Sequence, residues 1–168
     1  VTPALAPLLH GLREFRGGAH RMEWVAHVQG VDYVDDSKGT NVGATTAALE
    51  GIGLPVVLIA GGQGKGQNFQ PLAAALQSRA KAVITIGEAG PEIGEIARRA
   101  GVPSEHVASM NEAVQRAHYY ASQDDALNTV VLMSPACSSF DMFSNYIARA
   151  RSFRESVAAL AQEQGLTC

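Results

Sequence analysis

Val56-Val57-Leu58-Ile59-Ala60-Gly61-Gly62-Gln63-Gly64-Lys65 is the stretch that decides the fold. The first five residues are all apolar and three are β-branched, so the run has no face to offer water. A strand of that kind is buried on both sides, as in a parallel sheet covered above and below by helices. The turn that follows carries three glycines and a lysine, more than a plain connection from strand to helix needs.

Working outward, the same alternation recurs. Downstream, the spacing predicts helices over 71–79 and 91–100, strands at 82–86 and 106–108, and a helix over 112–122 behind an Asn111 cap. A buried strand at 129–133 and a long helix over 143–162 follow. Upstream, 22–28 and 31–34 are β-rich runs parted by Gln29-Gly30, which predicts a hairpin. Asn41 caps a helix running to Glu50, with Gly51 near its C-terminal end. Thr2-Pro3 opens a short helix over 4–12, and Arg16-Gly17-Gly18-Ala19-His20 reads as a hinge. The expected fold is α/β and Rossmann-like: a mostly parallel sheet, one antiparallel edge strand from the N-terminal hairpin, and helices on both faces.

Composition narrows the functional classes. The 168 residues are 46% hydrophobic and 17% charged, enough for one full core. Thirteen basic against 16 acidic residues give a net charge of -3, without the basic field that nucleic acid or an anionic membrane surface would require. No run approaches the roughly 20 apolar residues of a membrane span, and no signal peptide pattern opens the sequence, so a cytoplasmic location is expected. Two cysteines, Cys137 and Cys168, make a poor disulfide framework. The five histidines lack metal-ligand spacing, and no metal site is expected.

In a parallel sheet, ligands bind where loops leave the carboxyl ends of the strands. Three such loops are rich in hydroxyls, glycine or lysine: 35–41, 61–69 and 134–141. The first reads Asp35-Asp36-Ser37-Lys38-Gly39-Thr40-Asn41. Lys38 there can neutralise a phosphate or carboxylate, Thr40 can donate a hydrogen bond, and the following helix directs its positive end to the same place. Asp35 and Asp36 suit a ribose hydroxyl, a magnesium ion through water, or the neighbouring lysine. The second loop is no Walker A loop, since Ile59 and Gly66 stand where Gly and Ser/Thr are required. It is no dinucleotide fingerprint either, since Gln67 replaces the last glycine. What remains is a backbone free of β-carbons with Lys65 as a fixed cation, which implies an anionic ligand. The third loop brings hydroxyls to the start of the last helix. Its Cys137 has no His-Asp partner pattern and reads as a small buried thiol.

His20-Arg21-Met22-Glu23, Asp36-Ser37-Lys38-Gly39-Thr40-Asn41, Gly61-Gly62-Gln63-Gly64-Lys65 and Ser134-Pro135-Ala136-Cys137-Ser138-Ser139-Phe140-Asp141 together resemble the C-terminal domain of the Mur ligase family, over about Leu8 to Leu160. Ser-Lys-Gly-Thr-Asn after the first aspartates points to the D-glutamate-adding branch. The resemblance implies an ATP-dependent, ADP-forming amide ligase of peptidoglycan precursor synthesis in a bacterial cytoplasm. It implies as partners D-glutamate, UDP-N-acetylmuramoyl-L-alanine, ATP, and central and N-terminal domains of the same enzyme. Carried over by position, Thr40, Lys65, Ser139 and the backbone near Tyr146 contact D-glutamate. Lys38 lies near the phosphate and the incoming amino acid as the catalytic lysine, and Arg21, Asp36 and Asn41 reach ATP. A true P-loop and magnesium ligands belong to the family's central domain, so ATP and Mg2+ would be held mainly outside this sequence. Residues 1–15 are then the tail helix of that central domain, 16–19 the hinge, and 20–168 the C-terminal domain. The alternative is a non-catalytic module of Rossmann-like fold that binds an acidic amino acid; a Rossmann-like oxidoreductase would need the fingerprint that is missing.

Overall fold

Strand β3 (Val56–Gly61) is buried at every position and lies between two parallel neighbours, as its unbroken apolar run predicts. Around it, the computed structural model describes residues 20–123 and 128–165. The expected helix over 4–12 and the hinge at 16–19 lie outside the described residues. The chain order is β1 (Glu23–Val28), β2 (Val31–Asp35), α1 (Val42–Ile52), β3, α2 (Leu72–Arg79), β4 (Ala80–Ile86), α3 (Gly90–Arg99), β5 (Ser104–His106), α4 (Met110–Ala121), β6 (Thr129–Met133) and α5 (Tyr146–Glu163).

The six strands form one sheet in the order β1-β2-β6-β3-β4-β5. Only β1 runs antiparallel, paired to β2 through the expected hairpin; Gln29 and Gly30 have φ of 50° and 84°, the left-handed pair of a tight turn. Alternate strand residues feed two cores. Val34, Val56, Leu58, Val83, Val130 and Leu132 face α1, α2 and α3. Tyr33, Val57, Ile59, Ile84, Val131 and Met133 face α4 and α5. Both faces of the sheet are thus closed by the chain's own helices, each fully buried aliphatic side chain contributing about 1.5–3 kcal/mol. Among the described residues, no helix is long and apolar enough to cross a membrane.

Several boundaries move. Helix α1 continues past Gly51 to Ile52 and stops at Gly53, which takes the left-handed conformation with φ 72°. The short strand is 104–106, not 106–108, because Val83 N–H bonds Pro103 O and Val107 N–H bonds Thr85 O, fixing an earlier register. Helix α4 is capped by Ser109, whose hydroxyl accepts from Glu112 N–H, and not by Asn111. Ser109 and Glu112 stand at capping-box spacing, which outcompetes the later cap. Helix α5 starts at Tyr146 behind an Asn145 cap, because the amides of Met142 and Phe143 turn back onto Ser139 O.

Candidate functional site

Strands β2, β6 and β3 are neighbours, so their carboxyl ends bring the loops after Asp35, Met133 and Gly61 onto one rim. The middle loop is stitched to both others. Ala136 N–H donates to Gly39 O at 2.8 Å and Gly61 N–H to Pro135 O at 2.9 Å. Gln63 and Ser138 exchange backbone bonds of 3.0 and 3.2 Å. Gln67 joins all three loops. Its Nε2 donates to Ala136 O (2.7 Å) and Gly64 O (3.2 Å), while Oε1 accepts from Val42 N–H (3.1 Å).

This stitching changes the reading of the glycines and helix ends. Gly62 has φ 133°, and a β-carbon there would meet Ser138 O, so its lack of a side chain serves the approach of two loops to each other. At the start of α1, Val42 N–H is taken by Gln67 and Ala44 N–H by the Asn41 side chain at 2.8 Å. The helix therefore offers a ligand its positive field more than free amides. Asn41, expected at a nucleotide, spends its Oδ1 on this cap.

The two aspartates are interior groups. Asp35 is fully buried; Oδ1 accepts from Ser37 N–H (2.9 Å) and the Ser37 hydroxyl, and Oδ2 lies 2.8 Å from His20 Nδ1 and 3.0 Å from Arg154 Nη2. Asp36 is 6% exposed, with Oδ1 accepting from Met22 N–H (3.2 Å) and Oδ2 from Ser134 Oγ (2.7 Å). Burial raises the Asp36 carboxyl above its ordinary value, while the hydrogen bonds from Ser134 and Met22 and the charge of Arg21 pull it back down. With every oxygen engaged, neither aspartate fits as a magnesium ligand. His20, Glu23 and Asp35 do place ligand atoms within 4.8 Å of one another. Arg154 Nη2 donates to both carboxylates there, so a guanidinium already supplies the positive charge.

The cations are placed differently. Lys38 Nζ lies 5.8 Å from the centre of the Tyr146 ring, and Lys65 Nζ lies 5.4 Å from the Phe140 ring. Among the described residues neither forms an ion pair with a carboxylate, and Phe140 is 62% exposed. Lys65 is exposed and itself has φ 52°, which turns it out of the loop beside a cleft of ≈ 380 Å³ lined by Gln67, Phe69, Glu88 and Glu92. Thr40 is half-buried next to Lys38, with its N–H on Lys38 O. Ser139 is 3% exposed in the middle loop and Arg21 is exposed outside Asp36. The rim thus carries two ammonium groups without an ion pair among the described residues, one on each outer loop, flanking a hydroxyl-rich centre. That arrangement suits a ligand with two anionic groups.

Sequence reasoning missed the residue beneath the rim. Arg149 is 1% exposed; Nη1 donates to Cys137 O and Nη2 to Ser37 O, both at 2.9 Å. The available signal was a charge on the buried stripe of α5, in helical register with Phe153, Val157 and Leu160. Gln67 gave no such signal, being one polar residue in a polar loop. Cys137 is fully buried as expected, and burial lifts its thiol to about 12.

Comparison with known proteins identifies what this chain is similar to. Residues 20–137 match a family model described as Mur ligase, glutamate ligase domain. The UDP-N-acetylmuramoylalanine--D-glutamate ligase of Cupriavidus pinatubonensis is 52% identical over 162 residues, 96% of this chain and 31% of that protein. That of Burkholderia mallei is 54% identical over the same shares. The chain therefore spans 31% of the length of the curated relatives it matches. Among solved structures, UDP-N-acetylmuramate-alanine ligase MurC from Thermotoga maritima superposes with a TM-score of 0.58 at 22% identity, over 93% of this chain and 34% of that one. Mycobacterium tuberculosis folylpolyglutamate synthase, complexed with ADP and AMPPCP, gives 0.56 at 12% identity over 71% and 30%. At such identities these two establish the shared α/β fold.

Proposed function

The chain belongs to the Mur ligase family, as its glutamate ligase domain, and on that premise we propose that it holds the incoming D-glutamate for an amide ligase carried by a longer protein. The observation that carries this reading is the pair of unpaired cations, Lys38 and Lys65, on the two loops that flank the hydroxyl-rich one. Lys65, Thr40, Ser139 and the backbone near Tyr146 bind the dicarboxylate. Lys38 faces the carboxylate under attack. Held in register, the neutral amine of D-glutamate attacks the acyl phosphate of UDP-N-acetylmuramoyl-L-alanine, forming the amide and releasing phosphate. Such positioning removes much of the entropic barrier, and a fixed ammonium stabilises the charge that develops on the phosphate.

ATP supplies the phosphoryl group and leaves as ADP, with Mg2+ held by another part of the protein; the engaged aspartates here are consistent with that division. Arg21, exposed beside Asp36, is the group that would meet the nucleotide. Asp36 acts there by carrying Arg21 and anchoring Met22, and Asn41 by holding the start of α1. On this reading the 168-residue chain alone turns nothing over.

The test is a titration of the chain, and of the full-length protein, with D- and L-glutamate followed by amide chemical shifts. The D isomer is expected to move Thr40, Lys65 and Ser139 selectively. An absence of response in the full-length protein sinks the assignment, and phosphate release by the chain alone sinks the claim of dependence on other domains.

A further inference from the structure

We infer that Arg149 is the positioning residue that sets all the rim segments to one geometry, and so determines how tightly the rim grips its anionic ligand. The inference rests on the proposed D-glutamate site for its ligand, but not for its mechanics.

A guanidinium that is 1% exposed is costly to bury, and the usual compensation is a carboxylate. Arg149 has no such ion pair among the described residues. It spends its charge on two main-chain carbonyls instead, Ser37 O and Cys137 O, and leaves Nε buried without a partner. Burial lowers its affinity for a proton to about 10, yet at neutral pH it stays charged. A fold that needed only to fill this space would do better with a methionine or leucine.

The two carbonyls explain the choice. In a planar trans peptide, the N–H points opposite the C=O. Turning Ser37 O inward to Arg149 turns Lys38 N–H outward, where it donates to His20 O at 3.1 Å. Turning Cys137 O inward turns Ser138 N–H outward to Gln63 O at 3.2 Å. One buried cation thus fixes the peptide planes that carry the Lys38 and Ser138 amides, and through them the segment at His20 and the loop of Lys65. No carboxylate pairs with it directly among the described residues; Asp141 and Asp35 act on its charge only through space.

The experiment compares Arg149→Met and Arg149→Lys with Phe153→Leu, a core substitution one turn further along the same helix face, where the ring packs beside Tyr33. Amide hydrogen exchange of Lys38 and Ser138 in the chain is read well below every melting temperature. Arg149→Met is expected to speed both amides by about tenfold or more relative to the sheet amides, with Arg149→Lys intermediate and Phe153→Leu unchanged there. D-glutamate affinity of the full-length protein should weaken in the same order. Equal exchange at Lys38 and Ser138 in Arg149→Met and Phe153→Leu overturns the inference, whatever the ligand. If Arg149→Met does not fold, normal exchange at both amides in Arg149→Lys overturns it, and selective loss there supports it. Selective exchange without any glutamate binding in the wild type upholds the mechanics and sinks the proposed ligand.

Discussion

Gly39 offers the sharpest test of how the rim is built. It is not a left-handed residue, so replacing it with alanine changes the space it occupies and little else. A β-carbon there would lie 2.5 Å from Ser134 Oγ and 2.6 Å from Asp36 Oδ2, beside the 2.7 Å hydrogen bond that joins those atoms. Neither partner retreats freely. Ser134 is fully buried with its hydroxyl also 3.1 Å from Thr45 Oγ1, and Asp36 is held on its other oxygen by Met22 N–H. Losing a hydrogen bond to a carboxylate costs about 1.5–3 kcal/mol. Overpacking a tight interior costs about 1–3 kcal/mol. One displacement relieves both, so Gly39→Ala should destabilise by about 2–4 kcal/mol. At this chain length that is about 5–15 °C in Tm. Urea denaturation of wild type, Gly39→Ala, Ser134→Ala and the double variant forms a cycle. Ser134→Ala removes one clashing atom, so the pair should couple by about 1 kcal/mol or more. A loss below about 0.5 kcal/mol for Gly39→Ala, or strict additivity, refutes the packing argument.

Two further outcomes follow from buried groups. Burial raises the Asp36 carboxyl above 3.8, so the native state binds its proton more tightly than the unfolded chain does. Stability then falls as pH climbs from about 3.8 through the raised value, the reverse of a salt-bridged aspartate. Asp36→Asn removes that component, so the stability difference between variant and wild type should drift in favour of the variant over that range in urea titrations; parallel profiles count against it. Cys137, fully buried with its thiol lifted to about 12, should resist alkylation at pH 8 until the chain unfolds. Peptide mapping that finds Cys137 modified in native buffer, faster than global unfolding, contradicts that burial.

The fold was legible because its signals are repeated and local. Unbroken apolar runs at Val56 and Thr129 can be buried strands, and helical spacing with caps marks what lies between them. Helix starts were less legible where two capping residues compete: Ser109 against Asn111, and Asn145 against the residues before it. The loops that form the rim could be named from their chemistry, together with Lys38, Thr40, Lys65 and Ser139. What each polar group does there could not be read. Asp35 and Asp36 look alike in sequence, and both turn inward because His20, Arg154 and Ser134 arrive from positions 15 to about 120 residues away. The same long-range geometry hid Gln67, which reaches Ala136 O on the middle loop and Val42 N–H at the start of α1 as well as Gly64 O in its own loop.

The strand order has a consequence for how such a chain is made. β2 and β3 do not pair with each other; β6, last in chain order of the described strands, fills the gap between them. Until Thr129–Met133 emerges, the hairpin and the β3-β4-β5 unit each present an open apolar edge, a state prone to pairing with other chains. The final strand is thus a keystone for assembly as well as the bearer of the middle loop. Without it the sheet is two separate pieces and the three loops share no rim, so the sheet and the rim depend on the same strand.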